Sequence, residues 1–263
     1  MLTIRNYVRA QSLEEAYELN QKKTNCIMGG MMWTRMTSRT IQTMIDLCDL
    51  GLNKIEESED QFSLGAMVTL RQLETHAGLN QYTNNCVAKA VQDIVGVQFR
   101  NGATLGGSIF GRFGFSDVMT IFLAMDAYVE MFKGGIIPLA EFVKMPYDRD
   151  VLVRVIVKKQ PAAFSYQAVR IQRTDFPVLT CAAAKIGDEY KAVIGARPGV
   201  ATLVKDTEGI LAEGVNKENA ARFAEYVAAS VETESTSRGS AEYRKHLARV
   251  LCERAINEVG GKL

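Results

Sequence analysis

The chain is poor in the residues from which metal and redox sites are usually built. Its 263 residues include two histidines, His76 and His246, and five cysteines, Cys26, Cys48, Cys86, Cys181 and Cys252. The histidines lie far apart, the cysteines are odd in number and widely spaced, and no Cys-x-x-Cys pair occurs. This excludes a disulfide framework, a zinc site or an iron–sulfur cluster held by this chain alone. Reduced, mostly buried thiols are expected instead. An excess of charge of either sign is also missing: 31 basic and 30 acidic residues leave a net charge of +1, with no polybasic run. Neither nucleic acid nor an anionic membrane is an expected partner. The apolar stretches break off well short of a bilayer span, and the first residues lack the basic-then-apolar pattern of a signal peptide. A cytoplasmic protein is expected. Two common phosphate fingerprints, G-x-G-x-x-G and G-x-x-x-x-G-K-[ST], are missing as well.

What is present is an alternation of strand and helix signals. Ser12-Leu-Glu-Glu15 and Thr69-Leu-Arg-Gln72 have the capping-box pattern and open short helices. Strands are expected at 25–28, 44–47, 62–66, 128–132 and 151–157, and a helix near 85–94. Ser116-Asp117 precedes an apolar helix, and Pro138 is expected in the first turn of another at 138–143. Residues 158–161 read as a linker. Strands at 163–171, 178–186 and 189–194 follow, then helices at 217–231 and 240–259, the latter stopped by Gly260-Gly261. Strands followed by helices suggest a separate α+β unit beyond residue 160.

Two glycine pairs stand out. Gly29-Gly30 and Gly106-Gly107 each follow an apolar or β-prone run. Glycine permits positive φ and close backbone approach, and successive N–H groups in such turns can converge on an anion. Taken alone, the two turns imply a phosphate site and do not name a cofactor. Gly134-Gly135 reads as an ordinary turn.

The residues around these pairs resemble the flavin-carrying medium subunits of the molybdenum hydroxylases, the xanthine dehydrogenase and carbon monoxide dehydrogenase flavoproteins. The first mark is Ile27-Met-Gly-Gly-Met-Met-Trp33, similar to that family's Ala-Gly-Gly-Thr turn. The second is Arg100-Asn-Gly-Ala-Thr-Leu-Gly-Gly-Ser108, followed by Ser116-Asp117. Tyr7, Ser12-Leu-Glu-Glu-Ala16, Met44-Ile-Asp-Leu47, Leu64-Gly-Ala66, Leu123-Ala-Met-Asp-Ala127 and Gly239-Ser-Ala-Glu-Tyr-Arg244 keep the family order along almost the whole chain.

The resemblance implies an α+β protein. A two-subdomain FAD-binding domain of the PCMH/vanillyl-alcohol-oxidase type would span 1–160, with subdomains of about 1–55 and 56–160. A small α+β domain, an antiparallel sheet with a helical bundle, would span 161–263. FAD would lie with its diphosphate and ribityl chain along Ile27, Met28, Gly29, Gly30, Met31, Met32 and Trp33, and against Thr104, Gly107 and Ser108. Asp117 would meet the adenosine ribose, Leu152 would pack near the flavin or adenine, and Gln167 would stand where relatives carry a lysine near the flavin. Physical alternatives remain for two of these: Asp117 also fits a plain helix cap, and Trp33 a core aromatic. Implied partners are a molybdenum-cofactor large subunit and a [2Fe-2S] small subunit, with NAD or another acceptor taking the electrons. Three departures bear on this. Met31 stands for a polar residue, Ser108 for asparagine, and Gln167 for lysine, so an altered flavin potential or weaker FAD binding is expected. A structural or assembly subunit that has lost FAD and an independent flavoprotein oxidoreductase are the competing readings. No catalytic dyad is expected, because a flavin carries its own electron chemistry.

Overall fold

A computed structural model of the chain describes residues 1–261. The first part runs β1 (Thr3–Arg9), α1 (Leu13–Asn20), β2 (Cys26–Met28), β3 (Thr40–Asp46), β4 (Ile55–Glu57), β5 (Gln61–Gly65) and α2 (Leu70–Thr75). Short helices follow: α3 (Ala77–Tyr82), α4 (Cys86–Val91), α5 (Val97–Gly102), α6 (Leu105–Phe110) and α7 (Asp117–Ala124). Next come β6 (Ala127–Met131), β7 (Gly135–Pro138), α8 (Leu139–Phe142) and β8 (Leu152–Lys158). The chain ends with β9 (Ala162–Arg170), β10 (Pro177–Ile186), β11 (Glu189–Gly195), β12 (Thr202–Lys205), α9 (Lys217–Ser230) and α10 (Ala241–Val259). Among the described residues no helix is long and apolar enough to cross a membrane.

The chain forms two compact units, and both are discontinuous. The first contains 1–72, 97–111 and 127–157. It holds a three-stranded parallel sheet, β1-β3-β2, and a five-stranded sheet, β4-β5-β8-β6-β7. In the small sheet, Ile27 and Ile45 are paired across the ladder and join a cluster with Ala10, Ala16, Val151 and Val153. Of the two expected capping boxes, the one at Thr69 is complete and the one at Ser12 is half formed. Ser12 Oγ accepts from the N–H of Glu15, whose carboxylate accepts from the N–H of Gln11 rather than that of Ser12. Thr69 and Gln72 exchange both bonds, at 3.2 and 2.9 Å. The Gly134-Gly135 turn is confirmed: Gly135 has φ +69°, and the Asp150 carboxylate accepts from the N–H groups of Lys133 and Gly134. Pro138 ends β7 and caps α8 instead of lying within its first turn.

The second unit contains 73–96, 112–126 and 158–261 of the described residues. Its core is an antiparallel sheet in the order β12-β11-β10-β9. Side chains alternate across β10. Leu179, Cys181 and Ala183 pack with Phe223, Leu251 and Cys252 from α9 and α10, whereas Thr180 bonds Thr120 of α7 at 2.9 Å on the other face. Gly195 allows that approach, since a Cβ there would fall 2.1 Å from Thr120 Oγ1. With both faces of the sheet covered, all eight residues of α7 are buried, which accounts for its all-round apolarity. For the same reason the second compact unit takes in α4 and α7, which precede the sheet in sequence and cover it. Phe223 is fully buried between the helices and the sheet. We expect Phe223→Ala to lower unfolding free energy by about 3–5 kcal/mol, measured by urea denaturation; a loss within error would show that this core is not the stabilising one.

Candidate functional site

The two glycine segments meet within the first unit. A Cβ on Gly30 would lie 1.6 Å from the carbonyl oxygen of Gly102. A Cβ on Gly29 would lie 3.0 Å from Thr104 Oγ1 and 3.9 Å from the Gly107 Cα. Side chains extend the contact. The Met32 methyl would strike a Cβ on Gly102 at 2.4 Å, and the Trp33 ring stands edge-on to Phe99, with centroids 6.4 Å apart. The half-buried Trp33 thus packs on α5.

The backbone between these contacts turns through an uncommon conformation. Met31 takes φ +61°, a left-handed conformation that few non-glycine residues adopt. The N–H groups of Gly30, Met31 and Met32 have no acceptor among the described residues. Successive N–H groups around a left-handed residue form a nest that suits a phosphate oxygen. The loss of a hydroxyl at Met31 leaves these donors intact.

The second glycine pair works differently from the expectation. Gly106-Gly107 is not a turn but the start of α6, which Thr104 caps by accepting from the Gly107 N–H at 3.2 Å. The N–H groups of Leu105, Gly106 and Ser108 donate to Val68 O, Ala66 O and Thr104 O. Their role is close packing: a Cβ on Gly106 would lie 2.6 Å from the Ala66 carbonyl oxygen. This segment therefore contributes a wall and one buried hydroxyl proton, on Thr104, for which no acceptor exists among the described residues. Ser108 Oγ donates to Thr104 O at 3.0 Å, so its proton is engaged.

Other expected site residues are placed elsewhere. Ile27 lies in β2 within the small hydrophobic cluster, and Met28 pairs with Asp46. Leu152 is buried in β8, cross-strand from Met131. Asp117 and Gln167 belong to the second unit. Asp117 opens α7 in a buried position, accepts from the Tyr166 hydroxyl, and pairs with Arg170 Nη2 at 2.5 Å. Gln167 donates to Glu258 of α10 at 2.7 Å, on the opposite face of β9 from Tyr166 and Arg170. Asp117 and Gln167 are not brought together. Sequence reasoning passed over Gly102, Tyr166 and Arg170; the glycine ending α5 and the arginine in β9 were the available signals.

The chain thus pairs an α+β fold with two glycine segments in close contact, one of which carries successive N–H groups without acceptors among the described residues. The model for the FAD binding domain in molybdopterin dehydrogenase matches residues 2–159, and the model for the CO dehydrogenase flavoprotein C-terminal domain matches 164–259. The chain belongs to this family of FAD-binding medium subunits, and its cofactor is FAD. It is 27% identical to the nicotine 6-hydroxylase medium subunit of Paenarthrobacter nicotinovorans, over 97% of each chain. It is 24% identical to the uncharacterized protein YgfM of Escherichia coli (strain K12), over 94% of this chain and 93% of that one. In fold it is similar to a chain of carbon monoxide dehydrogenase from Hydrogenophaga pseudoflava, with a TM-score of 0.87 and 21% identity, over 98% of this chain and 97% of that one.

Burial pushes the Asp117 carboxyl up, against the pull of Arg170, from 3.8 to about 6. The folded chain holds this proton more tightly than the unfolded chain, so the stability it contributes at acid pH is lost as pH rises through that interval. The unfolding free energy of the native protein minus that of Asp117→Asn should therefore fall from about pH 4 to about pH 6 and then level off. Denaturant titrations across this range test it; a difference independent of pH would overturn it.

Proposed function

We propose that this chain is the electron-transfer subunit of a molybdenum hydroxylase complex, receiving electrons from the iron–sulfur clusters of a small partner subunit and delivering them to NAD or another acceptor. The observation that carries the reading is the nest at Gly30–Met32, walled by Gly102 to Gly107. FAD, when bound, supplies the ability to accept electrons singly and release them as a pair. The protein's own contribution is binding and orientation. The Gly30, Met31 and Met32 N–H groups would hold the diphosphate, with Thr104 donating its hydroxyl proton from the facing wall. Gly29 and Gly107 carry no side chain to fill the space, Ile27, Met28 and Trp33 fix the segment at both ends, Ser108 braces Thr104, and Leu152 adds an apolar surface to the same unit. Asp117 and Gln167 are proposed in supporting roles, since their polar groups are already engaged by neighbours. We keep residue 160 as the boundary between the FAD-binding and C-terminal family domains. A large subunit carrying the molybdenum cofactor would set the substrate, in the cytoplasm.

The competing reading, a scaffold subunit that has lost FAD, is separated by one experiment. Wild-type chain, with FAD added and excess removed, is expected to turn yellow and bind saturably. Gly30→Ala cannot place its Cβ beside the Gly102 carbonyl, and should bind FAD at least about tenfold more weakly, a change of about 1.4 kcal/mol. A wild-type chain that stays colourless, or a Gly30→Ala variant that binds as well, would sink the cofactor assignment. For electron flow, the reconstituted complex should show flavin bleaching by the large subunit's substrate and recovery on adding NAD or another acceptor.

A further inference from the structure

The second unit contains a recess of about 540 Å³ that none of the preceding roles uses. Its size is within the range of small-molecule sites, roughly 300–1,000 Å³. The backbone around it is closely constrained. The chain leaves β11 through Ala196, a non-glycine residue at φ +56°, whose N–H donates to the Gly114 carbonyl at 2.9 Å. A Cβ on Gly114 would lie 2.8 Å from Gly199 O, so the two loops touch backbone to backbone. Arg197 Nε donates to Val200 O and ties that loop to itself. Left-handed non-glycine residues are strained and tend to occur where a site demands them.

The recess has two chemical ends. Phe115, Phe176, Pro177 and Pro198 form apolar walls, with Phe115 and Phe176 edge-to-face at 4.7 Å. Thr236, Arg238 and Arg244 line the other side. Arg244 is only 2% exposed. Its guanidinium donates to the carbonyls of Val178 and Ala196 and to Thr236 Oγ1, all neutral oxygens, and Nε has no acceptor among the described residues. No carboxylate pairs with it among the described residues. Burial and the nearby charge of Arg238 make this cation harder to maintain. Arg238 pairs with Asp175 at 3.1 Å and lies over the Phe176 ring at 5.0 Å, and its Nε also has no acceptor among the described residues. Two guanidinium groups face one carboxylate at the polar end, and the Arg197 guanidinium packs against Gly199 of the same recess, so positive charge is in surplus. A buried cation compensated only by neutral dipoles is costly, and an anion placed here would offset that cost.

We propose that this recess binds a small aromatic carboxylate, its ring between the phenylalanine and proline walls and its carboxylate toward Arg238 and Arg244. Arg238 Nη1 has no partner among the described residues and can donate to a carboxylate, the surplus of positive charge favours an anion, and the aromatic walls suit a flat ring.

Isothermal titration of the full chain with benzoate tests this, with benzamide, acetate and inorganic phosphate as comparison probes. Benzoate is expected to bind saturably. Benzamide lacks the charge and acetate the ring, and each should bind at least about tenfold more weakly. Arg238→Gln, at a partly exposed position, should weaken benzoate by about tenfold, the scale of one charge-assisted hydrogen bond. Val200→Trp should abolish binding by filling the recess while leaving both arginines in place, with folding checked by circular dichroism. Failure of benzoate to saturate, equal binding of benzamide or acetate, tighter binding of phosphate, or full affinity in folded Arg238→Gln or Val200→Trp would each overturn the proposal.

Discussion

The approach of Gly30 to the carbonyl of Gly102 is the contact on which the cofactor site depends. The two residues are seventy-two positions apart, and the gap between them admits no side-chain atom. Once they meet, Met32 falls over Gly102, Trp33 reaches Phe99, and Gly29 faces the hydroxyl that caps α6. The chain between must then turn sharply, and it does so by taking Met31 into the left-handed region. Three N–H groups are left without acceptors among the described residues as a result. The strain and the unsatisfied donors are two sides of one arrangement, intelligible if an anion completes it.

A second constraint shapes the unit built on the four-stranded sheet. A sheet with apolar residues on both faces needs cover on both sides. α9 and α10 supply one layer, and α4 and α7 the other. Where polar groups are enclosed by this packing they are satisfied in networks: Asp117 with Tyr166 and Arg170 on one face of β9, and Ser165 and Gln167 with Glu258 on the other. Arg244 differs, because its partners are all neutral, and the recess beside it reflects that imbalance.

Much of the fold was legible in advance because local chemistry and burial agree. The capping residues Ser12, Thr69, Ser116 and Ser240 sit where helices begin. The alternating or β-branched runs became β6, β8, β9, β10 and β11 within a residue or two. β1 was not singled out as a strand, since most of its residues remain exposed and carry no periodic apolar signal. β12 is short, and α5 and α6 are broken by glycines that ordinarily mark turns.

The sequence by itself determined the secondary elements with a buried face, the family to which the chain belongs, and the two glycine segments that matter. These follow from local propensity, periodicity and motif order, which any window of the chain carries. Only the tertiary structure decided which glycine segment offers free N–H groups and which is a wall, because that depends on whether Val68 and Ala66 are there to accept. It also decided that Asp117 is held by Tyr166 and Arg170 and that Gln167 turns to Glu258, since the face a strand residue presents is settled by what packs on each side.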